Sequence, residues 1–357
     1  MRTVSSSPHI HDALRTDRAM HMVTLALLPS AIWGCLVFGW RAIVVLACSI
    51  AASMLSEYLL NKIGREENTL YDGSALVTGL LVGMNMPPQV PLYVPVLASF
   101  FAIFVVKWTF GGLGCNWINP ALAGRVFVFF SFTSQMSTFT LPWYMRADAL
   151  SGATALSSMK TMLSGGFVGH GSEMMLSTAG LPYTGLAAQV SDAIGISPYT
   201  VDAFLGNAAG CIGEVSALLL LIGGIYLIAR HVITWHIPVV YIGSFALLSW
   251  VFGGIPKDLG LFHGEVLLPV LSGGIMLGAF FMATDWVTTP TTPKGQIIFA
   301  VGCGFFTFLI RNFGSLPEGV SLAIILMNIV TPTIDRYVHV KKFGFVREKK
   351  DKKEAKA

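Results

Sequence analysis

Charge is what this chain has least of. Asp, Glu, Lys and Arg make up 12% of its 357 residues against 54% hydrophobic, and its mean hydropathy is +0.68. A soluble globular domain carries about 25% charged residues, so a soluble enzyme or binding module does not fit. Cysteine is also sparse: Cys35, Cys48, Cys115, Cys211 and Cys303 are scattered, with no CxxC or similar ligand spacing. That scatter argues against a disulfide framework and against an iron–sulfur site built within the chain. Four of the five lie in apolar runs, where each reads as a small buried hydrophobe. The stretch 111–125 is rich in glycine but has no Lys-Ser/Thr and no strand before it, which argues against a nucleotide-hydrolysing phosphate loop. No NAD-binding fingerprint is present. The N-terminal region has no short apolar run with a small-residue cleavage site, so the first span is expected to insert and stay.

What the chain has is long apolar runs. A helix needs about 20 apolar residues to cross the hydrocarbon, and ten candidate spans fall near 20–39, 41–60, 73–86, 92–107, 121–135, 202–229, 236–253, 265–283, 296–311 and 319–335. The third, fifth and ninth are short and glycine-rich, which predicts close helix packing and broken or re-entrant segments. The basic residues gather at the two ends: Arg2, Arg15 and Arg18 before the first run, and eight more from Lys341 to Lys356 after the last. Such flanks stay cytoplasmic, so both termini are expected inside and the span count even. The lysine run reads as a solvated topology anchor or anionic-lipid contact, not a nucleic-acid site.

This threading predicts an all-α polytopic membrane protein. Its parts are a cytoplasmic segment 1–19, a membrane half 20–135, an external interval 136–201, a second half 202–335 and a basic cytoplasmic tail 336–357. Gly79 and Gly83 on the third span match the spacing of Gly274 and Gly278 on the eighth, and the two spans run in opposite directions. That is consistent with two inverted five-helix halves.

Several loop motifs at span ends carry polar groups. In DGSALVTGLLVGMNMPP (72–88), Asp72 or Ser74 reads as an N-cap and Pro87 as a stop. GGLGCNWINPALAGR (111–125) offers glycines for close approach to a helix or a flat ring. FMATDWVTTPTTPKGQ (281–296) has five threonines, Asp285 and Lys294, and suits either a capped turn or a site for an ion or a ring's polar edge. Arg125, Glu214 and Arg311 are ionisable within or beside spans, where charge is expensive and function is the default hypothesis. Glu57 and Lys107, at span ends, read as snorkelling side chains.

Together with DALSGATALS (148–157), GEVSALLLLIGG from Gly213 and LPEGVSLAIILMNIVTPTID from Leu316, these motifs resemble, in order, the D subunit of Rnf ion-translocating electron-transport complexes. The B subunit of the sodium-translocating NADH:quinone oxidoreductase is similar but usually carries a longer N-terminal extension. The resemblance covers residues 20–340. It implies a membrane subunit of a ferredoxin:NAD oxidoreductase, multi-pass in a bacterial inner membrane, with oxidation of the primary donors left to partner subunits. It also implies a covalent FMN on the threonine of S-G-A-T, which is Thr154 here. A flavin transferase acts on FAD: the threonine hydroxyl attacks the phosphoanhydride, FMN stays attached and AMP leaves.

Around Thr154, the residues Gly152 and Ala153 keep bulk away, Ser151 shares the motif, and Asp148 is a candidate for positioning a metal ion during attachment. The loop is expected to be exposed where the transferase reaches it. Relatives can hold a second, noncovalent flavin such as riboflavin. Trp286 departs from the proline often found at its position in the family. For the ion path the candidates are Asp72, Glu214 and Asp285. The rival reading is a ten-helix channel or transporter for a small polar solute, without flavin, and a weaker third is a scaffold subunit that has lost its cofactor.

Overall fold

The computed structural model describes residues 15–65, 69–145, 153–316 and 318–338. These residues form helices and connections, with no strand among them. Five helices are long and apolar enough to cross a membrane: Thr16–Phe38, Trp40–Gly64, Tyr93–Phe110, His236–Lys257 and Pro293–Phe313. Ser74–Met84, Pro120–Ser131 and Ala217–Ala229 are shorter apolar helices, and Val320–Tyr337 follows at the C-terminal side. The protein is an all-α, multi-pass membrane protein.

Local chemistry fixes where several of these helices begin. Pro120 and Pro293 occupy first-turn positions where a missing N–H costs nothing. Asn119 Oδ1 accepts from the Ala121 and Leu122 amides at 3.0 and 3.3 Å, and Thr292 Oγ1 accepts from Gly295 N at 3.0 Å. Each cap supplies a partner for amides that the helix itself leaves orphaned.

Two of the expected spans are interrupted. The run 202–229 is a helix ending at Leu205, a non-helical stretch 206–216 and a helix from Ala217. The run 265–283 is Leu267–Leu271, a break at 272–274, then Ile275–Leu277 continued by a π-helical turn, Gly278–Met282. The ninth run, expected to be short and perturbed, is an unbroken 21-residue helix, Pro293–Phe313. Its glycines pack against neighbours without breaking it, because their backbone hydrogen bonds stay inside the helix. Gly304, for example, approaches Ser244 and Phe245.

Part of the polar backbone of the non-helical stretch 206–216 is bonded by the end of Ser74–Met84 and part by Ser30 and Trp33 of the first helix. Gly213 N donates to Met84 O at 2.7 Å and Ile212 N to Met86 O at 3.1 Å, which allows irregular backbone to lie within a membrane protein. The helix Ser74–Met84 itself packs through small residues. A Cβ on Gly79 would stand 2.2 Å from Ser53 Oγ, and one on Gly83 2.3 Å from Ser49 Oγ. Ser49 and Ser53 donate across this contact to the carbonyls of Gly79 and Ala75 at 2.9 and 2.8 Å. Close approach and hydroxyl donors hold these helices together where water exclusion would do so in a soluble core.

Among its described residues the interval 136–201 carries short helices. Ala155–Ser164, Ser172–Thr178 and Pro198–Leu205 pack around Met159, Met175, Leu176 and Tyr199, and Gly185–Ile194 packs against Pro198–Leu205. The tail 339–357 lies outside the described residues.

Candidate functional site

Thr154 heads the ten-residue helix Ala155–Ser164. Its Oγ1 accepts from Ser157 N at 3.1 Å and donates to Ser157 Oγ at 2.9 Å. Against the expectation of an accessible hydroxyl, Thr154 is only 5% exposed. The cause is its capping role, which turns the side chain inward over the first turn, towards a small cavity of about 50 Å³. Ala153 is exposed; Asp148, Ser151 and Gly152 lie outside the described residues.

The same cavity is lined by Glu214, Glu318, Asp202 and Gly273. Asp202 is committed to structure, its two oxygens accepting from Thr184 N at 2.8 Å and Thr184 Oγ1 at 2.6 Å. Glu214 is different. Its side chain is 2% exposed, neither oxygen has a hydrogen-bond partner, and the nearest cationic atom is Arg125 Nη1 at 3.4 Å.

Arg125 is shared. Its Nη2 donates to Glu318 Oε2 at 2.5 Å, and its Nη1 donates to Asn85 Oδ1 and Ser321 Oγ, both at 2.9 Å. Three separate chain segments, at Asn85, at Glu214 and at Glu318 with Ser321, therefore converge on one guanidinium. Cys211 Sγ and carboxylate oxygens of Glu214 and Glu318 all lie within 4.8 Å of one another, close enough to surround one cation or share a proton. Sequence reading assigned functional weight to Arg125 and Glu214 but left Glu318, Asn85, Ser321 and Cys211 unassigned. An acid at the very start of an apolar run was the available signal for Glu318.

A second, larger cavity of about 330 Å³ opens at the other end of the molecule. Ser74, Lys107, Asn116, Asn119, Asp285 and Trp286 supply its polar lining and Phe280, Phe281 and Leu227 part of its apolar wall. Asp285 Oδ2 accepts from Asn116 Nδ2 and from Thr288 Oγ1, each at 3.2 Å. Burial raises the Asp285 carboxyl above its ordinary value, and those hydrogen bonds only partly oppose the rise. The glycine loop adopts left-handed backbone at Gly111, Gly112 and Gly114.

Glu57 and Lys107 do not snorkel. Lys107 Nζ reaches both Glu57 oxygens, at 2.7 and 2.9 Å, and Ser74 Oγ at 2.6 Å. The pair is buried because two helices meet there, leaving neither side chain a path to solvent.

The three ion-path candidates are not brought to one place. Glu214 sits in the Arg125 cluster and Asp285 at the large cavity. Asp72 Oδ1 accepts from Ser74 N at 2.7 Å and Ser74 Oγ at 2.6 Å, a role in starting the helix Ser74–Met84.

Buried charge at broken helices, in an all-helical membrane scaffold, defines a class of ion- or solute-handling membrane proteins. Residues 3–344 match the NQR2, RnfD, RnfE family, and the chain belongs to that family. It is 41% identical over 342 residues to the D subunit of the proton-translocating ferredoxin:NAD(+) oxidoreductase complex of Clostridium ljungdahlii, covering 96% of each chain. To the D subunit of the Na(+)-translocating ferredoxin:NAD(+) oxidoreductase complex of Acetobacterium woodii it is 40% identical over 354 residues, 98% of each. The D subunit of the ion-translocating oxidoreductase complex of Stutzerimonas stutzeri is 38% identical over 353 residues, 92% of each.

Proposed function

We propose that this chain is the D-type membrane subunit of an Rnf-type ion-translocating ferredoxin:NAD oxidoreductase, acting as one redox station and part of the ion path. The observation that carries the reading is that Thr154 shares one cavity with the buried carboxylates Glu214 and Glu318. The S-G-A-T threonine is the attachment point for FMN, and its setting suits a phosphoester. It provides a hydroxyl oxygen at a helix N-terminus, where backbone amides and the helix dipole favour an anion. Attachment requires Thr154 Oγ1 to give up its proton and its bond to Ser157, so the transferase meets this stretch with the helix start opened. FMN supplies one- and two-electron chemistry when bound. The chain's own residues orient it and set the local field: Glu214 and Glu318 make added negative charge near Thr154 costly unless a cation accompanies it.

The ion path passes Glu214, with Asp285 and Asp72 at the opposite end. The cavity of about 330 Å³ is large enough for a second, noncovalent flavin such as riboflavin, held between the Phe280 and Phe281 wall and the polar rim of Asn116 and Asp285. The membrane part has ten spans in two inverted halves, with both termini cytoplasmic and Thr154 external in a bacterial inner membrane. Two matching details support the halves. Each short helix follows a left-handed glycine, Gly73 at φ 77° and Gly274 at φ 63°. Each start is also held by a cation from the end of the long helix that follows, Lys107 on Ser74 and Arg311 on Gly273 O. Partner subunits oxidise the primary donors.

The test is in-gel ultraviolet fluorescence of the denatured chain, produced with a flavin transferase, beside Thr154→Ala. A bright wild-type band and a dark variant bear the reading out. Two dark bands overturn covalent attachment and favour the transporter reading.

A further inference from the structure

A third cavity, of about 320 Å³, lies on the Thr154 side of the molecule, where the helices His236–Lys257 and Pro293–Phe313 end. Three cations line it, Lys160, Lys257 and Arg311, against one carboxylate, Glu265. Lys257 and Glu265 pair with each other at 3.2 Å. Among the described residues no carboxylate lies within ion-pairing distance of Lys160 or Arg311.

Arg311 is 8% exposed. It spends its Nη1 and Nη2 protons on neutral carbonyls of Pro269, Ser272 and Gly273 and lies over the Phe245 ring at 5.4 Å. Its Nε has no partner, and neither has Ser249 Oγ, which lines the same cavity and is 2% exposed. Lys160 Nζ donates to two carbonyls, Arg311 O at 3.2 Å and Leu316 O at 2.7 Å, leaving its charge uncompensated. Buried charges are ordinarily paired. Here two neighbouring cations and two orphaned donors surround one space, so the missing member is an anion.

The walls decide which kind. Leu156, Met159, Leu163 and Phe245 make one side of the cavity apolar, and its position at the ends of two membrane-crossing helices is the depth of a lipid headgroup. Basic pockets between membrane helices bind anionic headgroups for this reason. We propose that this cavity seats the phosphoryl headgroup of an anionic phospholipid, with Lys160 and Arg311 as its charge partners and the acyl chains against the apolar wall. The site is separate from the cavity beside Thr154 and does not depend on the flavin reading.

The experiment uses the full chain, delipidated in neutral detergent, with lipid binding read by native mass spectrometry and by the thermal midpoint. The probes are phosphatidylglycerol, phosphatidylcholine and inorganic phosphate. Phosphatidylglycerol is expected to bind and raise the midpoint, phosphatidylcholine to do neither, and Lys160→Gln to weaken phosphatidylglycerol about tenfold, the size of one hydrogen bond to a charged group. Lys160→Arg restores binding. Equal affinity of wild type and Lys160→Gln, or equal binding of the two lipids, overturns the proposal. A Lys160-dependent rise with inorganic phosphate alone overturns the lipid source and leaves a site for phosphate from solution.

Discussion

Lys107 holds Glu57 by both carboxylate oxygens, at 2.7 and 2.9 Å, across two membrane helices, with side-chain exposures of only 5% and 3%. Charges so deep are stable only as a set, and here Ser74 accepts from Lys107 while Thr69 Oγ1 donates to Glu57 Oε1 at 2.5 Å. Glu57→Gln is expected to destabilise the protein by about 3–5 kcal/mol, because it strands the ammonium. Joint replacement, Glu57→Leu with Lys107→Met, should recover most of the loss. Detergent-solubilised thermal unfolding of the three variants checks this; a single variant as stable as wild type contradicts it.

Glu214 predicts a conflict between stability and activity. An ionised carboxylate with no hydrogen-bond donor is costly to bury, so Glu214→Gln should leave the unfolding midpoint equal or higher. If the ion path uses this group, cation translocation in reconstituted vesicles should fall at least tenfold. Unchanged transport removes Glu214 from the path.

Glycine positions separate packing from propensity. A Cβ on Gly79 would meet Ser53 Oγ at 2.2 Å, Ile50 Cα at 2.8 Å and Ser49 O at 2.9 Å, so Gly79→Ala should cost roughly 1–3 kcal/mol as two helices are pushed apart. Gly243, inside the helix His236–Phe252, has nothing within 4 Å of its added Cβ. Gly243→Ala should be neutral or stabilising by up to about 1 kcal/mol. Paired unfolding curves decide, and equal shifts for the two would contradict the packing account.

Glu265 gives a pH dependence. Burial alone would raise its carboxyl, but Lys257 and the Ser172 side chain and amide outweigh burial and hold it below the ordinary 4.5. A carboxyl lowered in the folded state contributes stability that is fully present above its unfolded pKa and is lost as pH falls through the folded one. Wild type and Glu265→Gln should therefore differ in midpoint at neutral pH and converge below pH 4.5. Parallel curves down to strong acid would show that the Lys257 contact contributes nothing.

Much of this protein was legible in its residues. The apolar runs gave the membrane class, and Asp72 marked a helix start that the structure keeps. Gly79 and Gly83 carried the small-residue signature of a tight contact, although no spacing rule named Ser49 and Ser53 as their partners. Arg125 and Glu214 stood out because charge is rare in spans. Glu318 did not, since an acid beside Pro317 at a span end reads as a turn residue. The breaks at 206–216 and 272–274 were also hidden: hydropathy averages over a window and does not register where backbone hydrogen bonds leave the helix.

The sequence by itself determined composition, the positions of apolar runs and the order of motifs, because these depend on residue types and their spacing along one chain. Only the tertiary structure decided that Arg125 joins Asn85, Glu214, Glu318 and Ser321, that Lys107 meets Glu57, and that Thr154 turns inward beside two acids. Those contacts connect residues 40 to 196 positions apart. They form because, in a medium that offers no water, every buried charge and every broken backbone must find its partner elsewhere in the chain.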